Sequence, residues 1–235
     1  MSTLNNANLQ LNNITVNSDK KKILADFSVT FPVGQITTII GASGVGKTTL
    51  LNVVAGLRDF ASGTMTLNGQ PFIPKEHVMA LVPQDYGLLP WETATQAVIN
   101  ALKITKQPIN QTVITQLFEK LSIMDLKTKY PHEMSGGQQQ RVSLARGFAV
   151  AADVLLMDEP FSALDTNTRE QIQTLFMDTW QMKPGTTLFI THDIQEAILL
   201  GQQILVLTPT GAEMITHPEQ EADLVARLKA VIGNG

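Results

Sequence analysis

The chain contains no cysteine. That excludes a disulfide framework and thiolate chemistry, and it is compatible with a cytosolic protein. A basic excess is also missing: 17 Lys and Arg stand against 21 Asp and Glu, a formal net charge of −4, so nothing in the balance favours nucleic acid or an anionic membrane surface as partner. The basic run Lys20-Lys21-Lys22 reads as a solvated turn. Long apolar runs are lacking too. The most hydrophobic stretches are broken by Arg146, Asp153, Glu196 or Gln202-Gln203, well short of the ~18 residues that a spanning helix needs. The opening M-S-T-L-N-N-A-N-L-Q has neither the charged nor the apolar region of a signal peptide. The chain is therefore expected not to cross a membrane. It shows no internal repeat and no low-complexity segment.

Hydrophobic residues make up 43% of the 235 positions, ample for one domain with a buried core. Short β-rich runs dominate the first part (Leu9 to Val16, Phe27 to Phe31, Ile36 to Ile40, Thr64 to Asn68, Val78 to Val82), separated by turn signals such as Pro32-Val33-Gly34 and Asn68-Gly69. One helix interrupts them, from Lys47 to about Leu57. The middle is helical: Val113, Ile114, Leu117, Phe118 and Leu121 follow a 3.6-residue period, and a second helix is expected from Gln138 towards Ala151. Then V-L-L-M-D, a helix with Ile172, Leu175, Phe176 and Trp180 on one face, T-L-F-I-T, another helix and I-L-V-L-T alternate, which means parallel βαβ units. A last helix near Glu219 to Ile232 lines up Leu224, Val225, Leu228, Val231 and Ile232 as packing surface.

Against this background one loop stands out. T-I-I-G-A-S-G-V-G-K-T-T-L-L contains Gly41-x4-Gly46-Lys47-Thr48, with a buried strand ahead and a helix behind. Glycines let successive backbone N–H groups turn inward, and the following helix points its positive end at the same spot. Lys47 adds a formal charge, and the Thr48 hydroxyl can ligate Mg²⁺. The residues expected to cradle phosphate are Gly41, Ala42, Ser43, Gly44, Val45, Gly46, Lys47, Thr48 and Thr49. A tight strand-to-helix turn is the bland alternative. Nucleotide binding follows from the loop; adenine and the reaction do not.

Further on, Val154-Leu155-Leu156-Met157-Asp158-Glu159-Pro160 is a buried strand ending in two adjacent carboxylates. Asp158 at such a strand end suits an Mg²⁺ ligand, and Glu159, projecting differently, suits a residue that orients or deprotonates a water for attack on a γ-phosphate.

With Met134-Ser135-Gly136-Gly137-Gln138-Gln139-Gln140-Arg141 lying between loop and carboxylates, the chain resembles the ATP-binding subunit of an ATP-binding-cassette transporter. The octapeptide is similar to that family's signature motif. Gln84 after Val82-Pro83 resembles the Q-loop, Ser162-Ala163-Leu164-Asp165 the D-loop, and Thr191-His192-Asp193 the switch histidine. Gly56-Leu57 to Asn68-Gly69 resembles the segment after the phosphate-loop helix. The likeness covers nearly the whole chain. It implies an α/β P-loop fold with a mostly parallel core sheet flanked by helices, an N-terminal antiparallel β layer, and an inserted helical subdomain at 87–145 between core segments 1–86 and 146–235.

By the same resemblance the catalytic residues are Glu159, His192, Gln84 and Lys47, and the metal ligands Thr48, Gln84 and Asp158. Ser135, Gly136, Gly137, Gln138 and Asp165 complete the nucleotide contacts. Ser135 is expected to cap the helix that Gly136-Gly137 open, a second anion site at a helix N-terminus. The family arrangement is a head-to-tail homodimer on two ATP·Mg²⁺, in which Ser135 and Gly137 of one chain face the γ-phosphate held by Lys47 of the other. Asp165 organises the dimer seam. The implied function is ATP hydrolysis coupled to import of a small solute through a separate membrane permease, with a solute-binding protein in the same system, no nucleic acid, and a cytoplasmic place on the inner face of the cell membrane. Alternatives are a cassette ATPase not coupled to transport and a regulatory cassette; Glu159 and His192 speak against the latter.

Two departures stand out. Ser18 occupies the position of an adenine-stacking aromatic, which predicts weaker or less base-selective binding. Met134 replaces the common Leu of the signature, a swap of similar volume. Leu88-Leu89-Pro90-Trp91 is similar to importers of nitrate, sulfonates, taurine and pyrimidine precursors, although Ala97 stands where that group usually has Asn.

Overall fold

The computed structural model describes residues 8–18, 21–216, 218 and 223–233. It forms two compact units, one of Met1–His77 with Gly185–Gly235 and the other of Val78–Pro184.

The first unit holds two sheets. Strands β1 (Asn8–Ser18), β2 (Lys21–Pro32), β4 (Ser62–Leu67) and β5 (Gln70–Pro71) form an antiparallel layer in the order β2-β1-β4-β5. Lys21 and Lys22 lie in β2 rather than in a turn, Lys21 pairing with Ser18; Lys20 falls outside the described residues. The second sheet is built around β3 (Ile36–Gly41), whose residues are all buried, as expected of a strand covered on both faces. It runs parallel to β8 (Thr186–Ile190) and to β9 (Gln203–Thr208). A strand with no clear signal in the sequence, β10 (Gly211–Thr216), closes the edge antiparallel to β9. Of its residues only Ile215 is buried, so its alternation is too weak to read in advance.

Helix α1 (Lys47–Val54) stops short of the expected Leu57. Gly56 adopts φ +68, and the Leu57 and Gly56 N–H groups bond the carbonyls of Asn52 and Val53, the αL termination that glycine favours. Helix α6 (Ile194–Leu200) and α7 (Leu224–Gly233) complete the unit. Leu224 and Leu228 pack with Ile40, Ala197, Ile204, Val206 and Ile215, and Ile232 leans on the same cluster. Val231, expected on that stripe, is exposed, and the proposed start of the helix at Glu219 lies outside the described residues.

In the second unit β6 (Met79–Val82) and β7 (Val154–Asp158) are parallel neighbours. Around them are α2 (Ala94–Ile104), α3 (Gln111–Lys120), α4 (Gly136–Ala149) and α5 (Thr166–Met182). Helix α3 buries Ile114 and Phe118 but leaves Val113 exposed. Helix α5 buries Ile172, Phe176 and Trp180, with Leu175 half-buried. The segment 87–145 lies within this unit. Among the described residues no helix is long and apolar enough to cross a membrane.

Candidate functional site

In the first unit the C-terminal end of β3 feeds the glycine loop. Gly41 pairs with Leu207 of β9 so closely that a Cβ on it would lie 2.3 Å from the Leu207 carbonyl oxygen. Ala42, Ser43, Gly44 (φ +76) and Val45 carry the turn to Gly46 (φ +112), the N-cap of α1. This cap makes no side-chain hydrogen bond, and the first turn holds no carboxylate. The positive end of α1 is thus reserved for an outside anion. Lys47 is 9% exposed, and its Nζ donates to the carbonyls of Gly41 (2.8 Å) and Ala42 (3.1 Å), which aims the ammonium across the loop mouth. Thr48 is exposed and Thr49 half-buried.

Parallel pairing of β3 with β8, in the register Ile39 to Ile190, brings the Thr191-His192-Asp193 segment out at the same end as the loop. The Thr191 N–H bonds the Ile39 carbonyl at 3.2 Å. Asp193 caps α6 by accepting from the Gln195 and Glu196 N–H groups, and His192 is exposed beside it. A third edge comes from the β1–β2 hairpin: a Cβ on Gly46 would lie 3.2 Å from Ile23 Cγ2 and 3.3 Å from Leu24 Cδ2. Ser18, exposed at the end of that hairpin, offers no ring.

The second unit gathers the other chemistry at the ends of β6 and β7. Because Val82 pairs with Met157, Gln84 leaves one strand beside the point where Asp158 and Glu159 leave the other. Gln84 Nε2 donates to Ser162 Oγ (3.3 Å), which donates to the Glu159 carbonyl (2.9 Å). Glu159 sits at φ +45, a left-handed conformation that costs a non-glycine residue about 1–2 kcal/mol and marks functional turns. Asp165 caps α5; hydrogen bonds from the Thr168 hydroxyl and backbone N–H hold its carboxyl below the usual value.

Ser135 caps α4 as expected, its Oγ accepting from the Gln138 N–H while Gln138 Oε1 accepts from the Ser135 N–H. This reciprocal pair turns the Gln138 side chain back onto the cap. The two glycines have a second purpose that the sequence did not disclose. A Cβ on Gly136 would meet Tyr86 Oη at 2.9 Å, and one on Gly137 would meet Thr168 Cγ2 at 2.6 Å. They admit the segments carrying Gln84 and Asp165 against the signature helix.

Arg146 was also missed. Its Nη1 donates to the Gly87 carbonyl and its Nη2 to the Tyr86 carbonyl (3.0 Å), while Ser143 Oγ donates to the same Tyr86 carbonyl (2.7 Å). Burial lowers the Arg146 pKa from its ordinary value, opposed by Glu92 and Asp85. The guanidinium stays charged all the same. The sequence marked Arg146 only as a charge that interrupts an apolar stretch.

A strand opening into a glycine nest with a lysine and threonine at the start of the next helix, together with a carboxylate pair ending another strand, defines a P-loop nucleoside triphosphatase of α/β fold. The model of the ABC transporter family matches residues 24–162, and the chain belongs to that family. It is therefore an ATP-binding ATPase of the transport class.

Over 208 residues the chain is 37% identical to the taurine import ATP-binding protein TauB of Roseobacter denitrificans, covering 86% of this chain and 78% of that protein. It is 36% identical to the aliphatic sulfonates import ATP-binding protein SsuB of Bacillus licheniformis (81% and 74% covered). It is 39% identical to the nitrate import ATP-binding protein NrtC of Synechococcus elongatus (82% of this chain, 30% of that one). These relatives bear out the importer group that Leu88 to Trp91 resembles. A solved structure of a metal-chelate type ABC transporter in an inward-facing conformation superposes with a TM-score of 0.79 at 21% identity, over 97% of this chain and 89% of that one, a likeness of fold.

Proposed function

We propose that the chain powers import of a small oxyanion-bearing solute, a sulfonate or nitrate-like molecule, by ATP-dependent closure of a head-to-tail homodimer docked on a separate permease. The solute class is supported by the names of the three relatives. Hydrolysis is supported above all by Glu159, held left-handed at its strand end with its carbonyl tied through Ser162 to Gln84.

In this reading the nest of residues 41–49 and Lys47 bind the β- and γ-phosphates, His192 hydrogen-bonds the γ-phosphate, and Glu159 orients and deprotonates the attacking water. Thr48, Gln84 and Asp158 offer only oxygen donors, the set that Mg²⁺ selects. When bound, Mg²⁺ supplies charge neutralisation at the phosphates. Ser135, Gly136, Gly137 and Gln138 receive the γ-phosphate of the partner chain's ATP, and Asp165 lines the seam. The helical segment 87–145 moves with nucleotide state, and its exposed Leu89 and Trp91 receive the permease. The cassette works at the inner face of the cell membrane, with a solute-binding protein upstream.

Light scattering of Glu159→Gln with and without ATP and Mg²⁺, beside a direct ATP-binding assay, tests this reading. A monomer that becomes a dimer only with ATP is expected. ATP bound to a chain that stays monomeric, alone and with its co-purified permease, would overturn the cross-chain role of Ser135.

A further inference from the structure

The signature helix presents an unusual stripe. Gly136, Gln140, Ser143 and Gly147 recur at i, i+4, i+7 and i+11, so they share one face of α4. Gln140 and Ser143 are 0% exposed, at places where a core-facing helix ordinarily carries leucine. The ends of the stripe touch the segment that carries Gln84: a Cβ on Gly136 would lie 2.9 Å from Tyr86 Oη, and one on Gly147 would lie 3.0 Å from Val82 Cγ2.

That segment is bent against its own preference. Tyr86 has φ +64 and Gly87 φ +57; glycine takes this conformation freely, but a left-handed tyrosine persists only where the surroundings over-determine it. The Tyr86 N–H closes the turn onto the Pro83 carbonyl at 3.3 Å. Two carbonyls then face α4, and the hydroxyl of Ser143 and the fork of Arg146 take both. Gln140 on the same stripe has neither its amide nitrogen nor its amide oxygen partnered among the described residues.

We propose that Ser143 and Arg146 are positioning residues for Gln84: they hold the left-handed Tyr86-Gly87 turn by its carbonyls, so that the Gln84 side chain leaves β6 in one fixed direction. The inference rests on the reading of Gln84 as a group that contacts metal or water. A guanidinium fork suits the task because it spans two adjacent carbonyls, which an ammonium does not. The clamp also links the turn to the helix whose N-terminus carries Ser135, so displacement of α4 is transmitted to Gln84 through two side chains.

The test compares Ser143→Ala, Arg146→Lys, Gln84→Ala and the double variant Gln84→Ala/Arg146→Lys in the full-length chain with ATP and Mg²⁺. Backbone hydrogen exchange of the 83–89 peptide is followed in parallel without nucleotide. Faster exchange is expected in both clamp variants, with kcat lowered about 10-fold and KM for ATP changed by no more than about twofold. Arg146→Lys should cost nothing further once Gln84 is already alanine. Unchanged exchange, or a full additional loss in the double variant, would overturn the proposal. Wild-type kcat in Gln84→Ala, even with exchange accelerated in the clamp variants, would overturn it through the Gln84 reading beneath it. Should Arg146→Lys fail to fold, Ser143→Ala and its double variant with Gln84→Ala carry the same comparison.

Discussion

Gly41 and Gly44 lie three residues apart in one loop, yet different physics fixes each as glycine. A side chain on Gly41 would run into the Leu207 carbonyl, and β9 cannot retreat because it is paired there, whereas Gly44 faces open space and needs glycine only for φ +76. Gly41→Ala is expected to lose at least about 3 kcal/mol of unfolding free energy in a denaturant titration, and Gly44→Ala only about 1 kcal/mol. Ser18 supplies the second prediction at this scale. It is exposed at the hairpin end whose neighbours Ile23 and Leu24 border Gly46, where a ring would have a base to cover. Ser18→Tyr should tighten ATP binding by about 1 kcal/mol, near fivefold in Kd, and increase the preference for ATP over GTP in a fluorescence titration. Equal constants for the two chains would remove adenine stacking from that position. The phosphate loop was legible residue by residue because each requirement is local; the hold of Ser143 and Arg146 on the Tyr86 carbonyl was not, since donor and acceptor lie far apart in sequence.

At the scale of the element, α4 shows how one residue does two jobs. Ser135 closes a capping box with Gln138 and, in the proposed dimer, meets a phosphate. The roles separate on substitution. Ser135→Ala is expected to lower stability by about 1 kcal/mol through the lost cap. Ser135→Asp caps as well as serine, so its melting temperature should match wild type while its charge repels the γ-phosphate and abolishes the ATP-dependent dimer by light scattering. A dimer that survives in the aspartate variant would take Ser135 out of the nucleotide contact. Periodicity foretold the existence of α3, α5 and α7, because apolar residues recur on one face of each, while α4 announced itself by its Ser135 cap and the glycines that follow. It misjudged ends. Helix α1 stops early at a left-handed Gly56 that also packs on Pro74, a contact set by tertiary structure.

For the whole molecule, the proposed docking on a permease falls on exposed apolar residues of the helical segment. Trp91 is 69% exposed and Leu89 43%, both just beyond the turn clamped by Arg146. Trp91→Ala should change the unfolding free energy by less than about 0.5 kcal/mol, since little is buried there. Co-purification with the permease should weaken by about 2 kcal/mol, roughly 30-fold in apparent affinity. Retention of full affinity would move the docking surface elsewhere on the helical segment.

The sequence by itself determined the phosphate nest, the carboxylate pair, the capped signature helix and the alternation of strands and helices, because each is written in residues a few positions apart. Only the tertiary structure decided that β10 closes the sheet edge and that Gly136 and Gly137 make room for Tyr86 and Thr168. It alone also showed the turn after Gln84 held left-handed by Ser143 and Arg146. The Tyr86 carbonyl lies 57 residues from Ser143 and 60 from Arg146, the glycine approaches depend on the shape of a neighbour, and β10 alternates too weakly to show itself; a local pattern carries no record of which distant carbonyl a side chain will reach.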